Sequence, residues 1–409
     1  MSYRILTIFL WPVFFIYTLK IAFRDKSARY LFQRMGFSYP SQENKTIWVH
    51  CASVGEVNTY LALHFKLLER FPDKHFIVTT NTVTGASTVA RHKLSRTQHC
   101  FLPIESRFAI TRFLQKTNPS LCLIMETEIW PLLYQISYTN NVPISIINAR
   151  LSHRTLSANN WVKSIYKTSL KYVDKILCKS NEELTNFKTL GAHDKQLFVA
   201  GNLKFVSASN SLDVTRINIE GRKYCVAAST HNDEELQLAS LWKKLNPSML
   251  LIIVPRHPNR SKQIQTQLDS LNINYAVRST SSTVQDNTSV YLADTLGELT
   301  NFMMGAEFVF IGGSLIKHGG QNILESCRLG KATLCGPHMF NFVDEVNFLL
   351  ENNACIQVEN ITRLESEISL YFENPERFLS IANNAKNALQ KQNEILNTYI
   401  DYIIMSNDH

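Results

Sequence analysis

The sequence lacks paired cysteines. Its eight, at positions 51, 100, 122, 178, 225, 327, 335 and 355, include no CxxC, and several lie inside apolar runs such as Leu121-Cys122-Leu123. That pattern excludes a disulfide framework and a cysteine-based zinc site, and reads as reduced, buried thiols in the cytosol. GxSxG, GxxxxGK[ST], HExxH and DxD are all missing. A nucleophile elbow, a P-loop and a zinc protease helix are thereby set aside, and the missing DxD argues against metal-dependent sugar transfer in particular. Basic residues are not interleaved with aromatics along one face, so nucleic acid is not the expected partner. There is no solenoid repeat or low-complexity tract.

What is present is a chain of 409 residues, 45% hydrophobic and 19% charged, with a formal charge of +8. That length accommodates two domains, each with its own core, and the charge points to anionic partners: nucleic acid, acidic head groups or phosphorylated small molecules. The first 35 residues stand apart. Ile5 to Leu19 is uncharged and almost wholly apolar, broken by Pro12, and is followed by Lys20, Arg24, Lys26, Arg29 and Arg34. An apolar run of 15 residues is shorter than the roughly 20 that span a bilayer, although Ile21-Ala22-Phe23 extends it. Most of the positive charge follows the run, which argues against a cleaved signal peptide and places the bulk of the chain on the cytoplasmic side. We read residues 1–35 as a membrane anchor with a basic juxtamembrane helix; the alternative is a buried core helix.

From Ile47 onward, short apolar runs alternate with helix-length stretches: Ile47 to Val49, His75 to Thr80, Ser120 to Met125, Ile144 to Ile147, Lys175 to Cys178 and Leu197 to Ala200. Residues 206–222 lose the pattern and read as a linker. The alternation restarts at Tyr224 to Ala228 and continues through Met249 to Val254, Ser289 to Leu292, Phe308 to Ile311, Ala332 to Cys335 and Cys355 to Val358. The expected class is α/β, with two Rossmann-like domains (36–205 and 223–390) facing a central cleft, an N-terminal anchor helix and a C-terminal helix at 391–409.

Chemistry-bearing residues fall at the ends of these strands. Glu56 follows Ser53-Val54-Gly55 where a strand turns into a helix. Alone, that stretch favours a structural reading, because the macrodipole favours a carboxylate in a helix's first turn. Of Glu126 and Glu128, one is expected to face the crevice while the other caps the next helix. Arg150 also ends a strand, and Lys204 lies beside the linker, within reach of a cleft. In the second half, Gly312-Gly313 and Gly319-Gly320 bracket a strand-to-helix crossover, as a nucleotide site does. Asn322 sits where a helix begins, and its amides can receive a phosphate. Arg256 emerges at a strand end, where it can fork onto a phosphate, and the Asp294-to-Glu298 loop can flank the same ligand.

Taken in order, HCASVGEV, TTNTVTG, METEIWP, INARLS, GNLKF, PRHPNR, DTLGEL, GGS and GGQNILE resemble the 3-deoxy-D-manno-octulosonic acid (Kdo) transferases over nearly the whole chain. The resemblance implies a GT-B fold and inverting, metal-independent transfer of Kdo from CMP-Kdo to a lipid A precursor such as lipid IVA, with no cofactor, at the cytoplasmic face of the inner membrane. It implies Glu56 as catalytic base, Glu126 and Lys204 as transition-state support, and CMP contacts at Pro255, Arg256, Leu296, Gly297, Glu298, Asn322, Ile323, Leu324 and Glu325. Gln321 and Ser326 depart from residues common in the family. The rival classes are a membrane-associated nucleotide binder without transferase activity and a sugar-nucleotide epimerase of the same shape; neither needs the full set of features.

Overall fold

The computed structural model describes residues 3–206 and 215–404; part of the expected linker, 207–214, lies outside the described residues. Strands β1 Thr46–His50, β2 His75–Thr80, β3 Thr97–Phe101, β4 Pro119–Met125, β5 Ile144–Ala149, β6 Lys175–Cys178 and β7 Leu197–Val199 form one parallel sheet in the order β3-β2-β1-β4-β5-β6-β7. The central strands β1, β4 and β5 are buried almost throughout, which is why they read as unbroken apolar runs rather than alternating ones. The chain starts in mid-sheet, winds outward to β3, then returns beside β1 and winds the other way. The switch point is therefore the gap between β1 and β4, where an open α/β sheet offers a crevice at its carboxyl edge.

The second sheet repeats the logic. Strands β8 Tyr224–Thr230, β9 Leu250–Pro255, β10 Tyr275–Val277, β11 Val290–Leu292, β12 Phe308–Ile311, β13 Ala332–Cys335 and β14 Ile356–Gln357 are ordered β10-β11-β9-β8-β12-β13-β14. Its switch point lies between β8 and β12. Each sheet carries its own core. Trp48 is fully buried and meets Phe113 edge-on at 4.7 Å in the first; Phe308 packs against Tyr371 at 5.0 Å and Phe378 at 5.4 Å in the second. Removing either large ring would cost about 3–5 kcal/mol.

The chain divides into two compact units, one around each sheet, and the end of the chain returns to the first. The helix Glu394–Ile404 packs there. Its Tyr399 hydroxyl donates to Gly201 O at 2.9 Å and accepts from Asn148 N at 3.1 Å.

The N-terminal segment forms two helices, α1 Tyr3–Arg24 and α2 Ala28–Arg34. Among the described residues no helix is long and apolar enough to cross a membrane; the segment expected to anchor the chain is one continuous helix that contains Pro12. Its Val13, Ile16, Tyr17 and Phe23 are exposed. By contrast α2 belongs to the first unit: Tyr30, Gln33 and Arg34 are buried. Gln33 Oε1 accepts from Phe101 N at 2.9 Å, Arg34 Nη1 donates to Leu102 O at 2.8 Å, and Arg29 donates to His99 O. These bonds occupy groups at and just beyond the outer edge of β3, which would otherwise be open to pairing with another chain.

Candidate active site

Helix α3, Val54–Arg70, starts directly after β1 at the first switch point. Ser53 is its N-cap, its hydroxyl accepting from Glu56 N at 3.3 Å. The Glu56 carboxylate turns back on the same corner: Oε2 accepts from Ala52 N at 2.7 Å and Oε1 from the Ser53 hydroxyl at 3.0 Å. This is a variant of the capping box, with the acid satisfying the amide one residue before the cap. The structural role of Glu56 is therefore real, and it also fixes the carboxylate's position. Glu56 is not held by a glycine turn: Gly55 lies inside α3, and a Cβ there would meet only Ser53 Oγ at 3.8 Å, so neither a turn nor a close approach requires a glycine at this position.

Glu56 is 9% exposed. Burial pushes its carboxyl up to about 7, aided by the charges of Glu126 and Glu128 and opposed by the bonds from Ala52 and Ser53. A carboxylate near neutrality is a stronger base than an ordinary one, and at pH 7 about half of it is ionised rather than all.

Glu126 follows β4, the neighbour of β1 across the switch point. It has a left-handed backbone, φ 55°, a conformation that costs a non-glycine residue about 1 kcal/mol or more. Arg150, at the end of β5, donates from Nε to Glu126 Oε2 at 2.7 Å. Thr127 Oγ1 donates to Glu126 O and Arg150 O, tying the two strand ends together. Glu56, Glu126, Thr127, Glu128 and Arg150 line one open concavity of about 160 Å³. The division of labour expected of the two acids after β4 is corrected. Both face the concavity, and the helix Pro131–Thr139 is capped by Glu105, which accepts from Leu132 N at 3.1 Å and Leu133 N at 3.0 Å. Lys204 lies in a short turn packed on α3, its amide bonded to Asn202 Oδ1 at 3.0 Å. It does not line the concavity.

At the second switch point the glycines serve the protein's own packing. A Cβ on Gly312 would lie 2.6 Å from Ser229 O and Thr230 Cα, and one on Gly320 would lie 2.2 Å from Met339 Sδ. The amides that follow the first glycine pair are held by a carboxyl group of the protein itself. The Glu234 carboxylate accepts from Gly313 N at 2.5 Å, Ser314 N at 2.9 Å, Leu315 N at 3.0 Å and His231 N at 3.1 Å. Glu234 escaped the sequence reading because an acid at the start of a helix looks like an ordinary first-turn residue. The helix after Asn322 is only Leu324–Arg328, too short for a substantial dipole. Asn322 Oδ1 caps it through Leu324 N at 3.1 Å.

The other expected nucleotide contacts divide by exposure. Arg256 and Asn322 are exposed beyond the sheet's carboxyl edge, and Pro255 ends β9. Ile323 and Leu324 are core side chains, so a ligand could meet only their backbone. Leu296 is exposed, and Gly297 has φ +86° with open space around it. Glu298 is paired with Arg278 at 2.7 Å, and Glu325 accepts from Thr300 Oγ1 at 2.6 Å. Cationic and imidazole side chains gather near Arg256: His231 stacks under His318 with centroids 3.7 Å apart and meets His257 at 5.9 Å. Burial and these neighbours lower His231 to about 4, so it is neutral at pH 7.

Comparison with known proteins shows the family. The family model for 3-deoxy-D-manno-octulosonic-acid transferase (kdotransferase) matches residues 29–207. A 3-deoxy-D-manno-octulosonic acid transferase from Haemophilus influenzae is 31% identical over 92% of this chain and 93% of its own length. Among solved structures, the C-terminal CMP-Kdo binding domain of WaaA from Acinetobacter baumannii is 34% identical over 42% of this chain and 91% of that domain, with a TM-score of 0.40. The UDP-GlcNAc 2-epimerase from Neisseria meningitidis bound to UDP-GlcNAc is 14% identical, covers 86% of this chain and 99% of that one, and has a TM-score of 0.56; that likeness is one of fold alone. The chain belongs to the Kdo transferase family, the glycosyltransferases of lipopolysaccharide biosynthesis.

Proposed function

We propose that this enzyme moves Kdo from CMP-Kdo to a hydroxyl of a lipid A precursor with inversion, Glu56 taking the proton. The observation that carries the reading is the Glu56 carboxylate itself, fixed by two hydrogen bonds at the switch point and raised to about 7. As the acceptor oxygen bonds the anomeric carbon, its proton passes to Glu56, and the bond from that carbon to the CMP phosphate breaks with its electron pair leaving on the phosphate. General-base assistance of this kind contributes about two to four powers of ten in rate.

Glu126, steadied by Arg150, faces the same space and can stabilise positive character developing at the anomeric carbon. Lys204 is assigned the same supporting role from outside the concavity. The growing phosphate charge is assigned to side chains of the second unit, Arg256 foremost, because the glycine-turn amides are occupied by Glu234. With protein cations in that role, no metal is required.

We assign the N-terminal segment to the cytoplasmic face of the inner membrane. Exposed Trp11, Tyr17, Phe23 and Phe32 suit the bilayer interface, and Lys20, Arg24 and Arg29 suit acidic head groups. Incubation with CMP-Kdo and a tetraacylated lipid A precursor, with and without EDTA, followed by mass spectrometry of the lipid, tests the proposal. A Kdo adduct is expected in both samples. No adduct in either would refute the transfer, and an adduct only without EDTA would refute its metal independence.

A further inference from the structure

We propose that Glu128 is a further substrate-contacting carboxylate, presenting one oxygen to a sugar hydroxyl in the concavity, and that Asn81 and Arg34 are its positioning residues. The proposal rests on the transfer reading and adds a residue to its site.

Glu128 lines the concavity beside Glu56 and Glu126. Its Oε2 is held twice, by Trp130 Nε1 at 3.0 Å and Asn81 Nδ2 at 3.3 Å. Its Oε1 has no hydrogen bond among the described residues, so the anchored oxygen turns the other one outward. Asn81 is oriented from both ends: while Nδ2 donates to Glu128, Oδ1 accepts from Arg34 Nη1 at 3.3 Å. Burial raises the Glu128 carboxyl, and the bonds from Trp130 and Asn81 and the charge of Arg34 oppose that rise.

Arg34 comes from α2, 9% exposed. Nη1 also donates to Leu102 O, while Nε finds no partner among the described residues. Burial disfavours its charge, and Glu128 is the carboxylate that most supports it. A buried guanidinium without a direct counter-ion is expensive to keep. Here its charge reaches Glu128 through one amide and offsets the crowding of three carboxylates around a concavity that, among the described residues, is lined by a single cation, Arg150. An ionised carboxylate with one open oxygen is a strong acceptor for a neutral hydroxyl.

Four proteins test this: wild type, Glu128→Gln, Asn81→Asp, and the double variant, each measured for turnover, acceptor and donor KM, and melting temperature. Asn81→Asp sets two carboxylates against each other and should lower both melting temperature and turnover. In the double variant the new amide at position 128 can donate to the new carboxylate at position 81, restoring that bond with its direction reversed while giving up the bond that the same position accepts from Trp130 Nε1. Its melting temperature should rise above that of Asn81→Asp without reaching wild type, while turnover stays at least tenfold down. Glu128→Gln alone should fold normally and lose at least tenfold in kcat/KM, which carries the test even if the double variant does not fold.

Recovery of turnover together with stability in the double variant would overturn the proposal by making Glu128 a structural link only. So would a Glu128→Gln enzyme that keeps more than about a tenth of wild-type kcat/KM. The wild-type arm separates the two readings: a wild type that makes no Kdo adduct contradicts the transfer, whereas an active wild type beside an equally active Glu128→Gln contradicts only the role given to Glu128.

Discussion

At the scale of single residues, the site is a set of carboxylates whose charge the fold makes costly. Glu56 ordinarily titrates at 4.5 and here at about 7, chiefly because it is buried. Its folded value is raised, so its contribution to stability is full below about 4.5 and is lost as the pH climbs through about 7, by up to about 3 kcal/mol. Glu56→Gln has no such loss. The melting temperature of the variant should therefore gain on wild type between pH 4.5 and 7 and run parallel to it above; curves parallel throughout would mean that Glu56 titrates normally. The wild-type rate should rise over the same upper range as the base ionises. Glu234 gives the opposite kind of test. A glutamine there would point an N–H at amides that are themselves donors, costing about 1–3 kcal/mol for each group left unpaired. Glu234→Gln should lower the melting temperature by several degrees and weaken CMP binding, both measurable on one sample by thermal shift and titration.

Among the elements, the buried strands were the most legible part of the sequence, and of the outermost strands only β7 and β14 were expected. β1, β4, β5, β9 and β12 stand where apolar runs predicted them, because a strand covered on both faces is apolar along its whole length. β3 and β10 were not foreseen. Both are outermost in their sheets; Thr97-Gln98-His99 is polar and β10 has three residues, as edges usually are. α2 was expected as a basic juxtamembrane helix, but its docking was hidden: Gln33 and Arg34 look like surface residues in sequence yet hydrogen-bond beside β3. Removal of residues 1–23 should release much of the protein from membranes and leave CMP binding intact, whereas removal of 1–35 should also destabilise the first unit. Sedimentation in high salt and thermal melts of the two truncations distinguish these effects. Equal stability of the two would refute the role given to α2. Loss of the α3 cap in Ser53→Ala should cost about 1 kcal/mol and loosen one of the two bonds that hold Glu56.

For the whole molecule, two rounds of strand and helix were readable as two doubly wound sheets, since the hydrophobic period survives in each. The location of the acids at the first switch point was readable too: Glu56 and Glu126 each follow an apolar strand closely. What was not readable depended on contacts distant in sequence. Arg150 becomes the partner of Glu126 only because β4 and β5 are neighbours, and Glu105 caps a helix that begins well downstream of it, at Pro131. The return of the helix Glu394–Ile404 to the first unit has no local signature either. Glycine pairs carry two readings for a physical reason, since a turn that packs against backbone and a turn that admits a phosphate require the same residue.

The central claim is that Glu56 takes the acceptor's proton, and the most direct measurement is single-turnover transfer by Glu56→Gln, with fold and CMP binding checked on the same preparation. Glutamine preserves size and much of the hydrogen bonding at the cap but cannot accept a proton at neutral pH. The account predicts a folded protein with CMP affinity near wild type and a transfer rate lower by at least about two powers of ten. A folded, CMP-binding variant that keeps more than about a tenth of the wild-type rate would contradict it, leaving Glu56 a helix cap and Glu126 the next group to test.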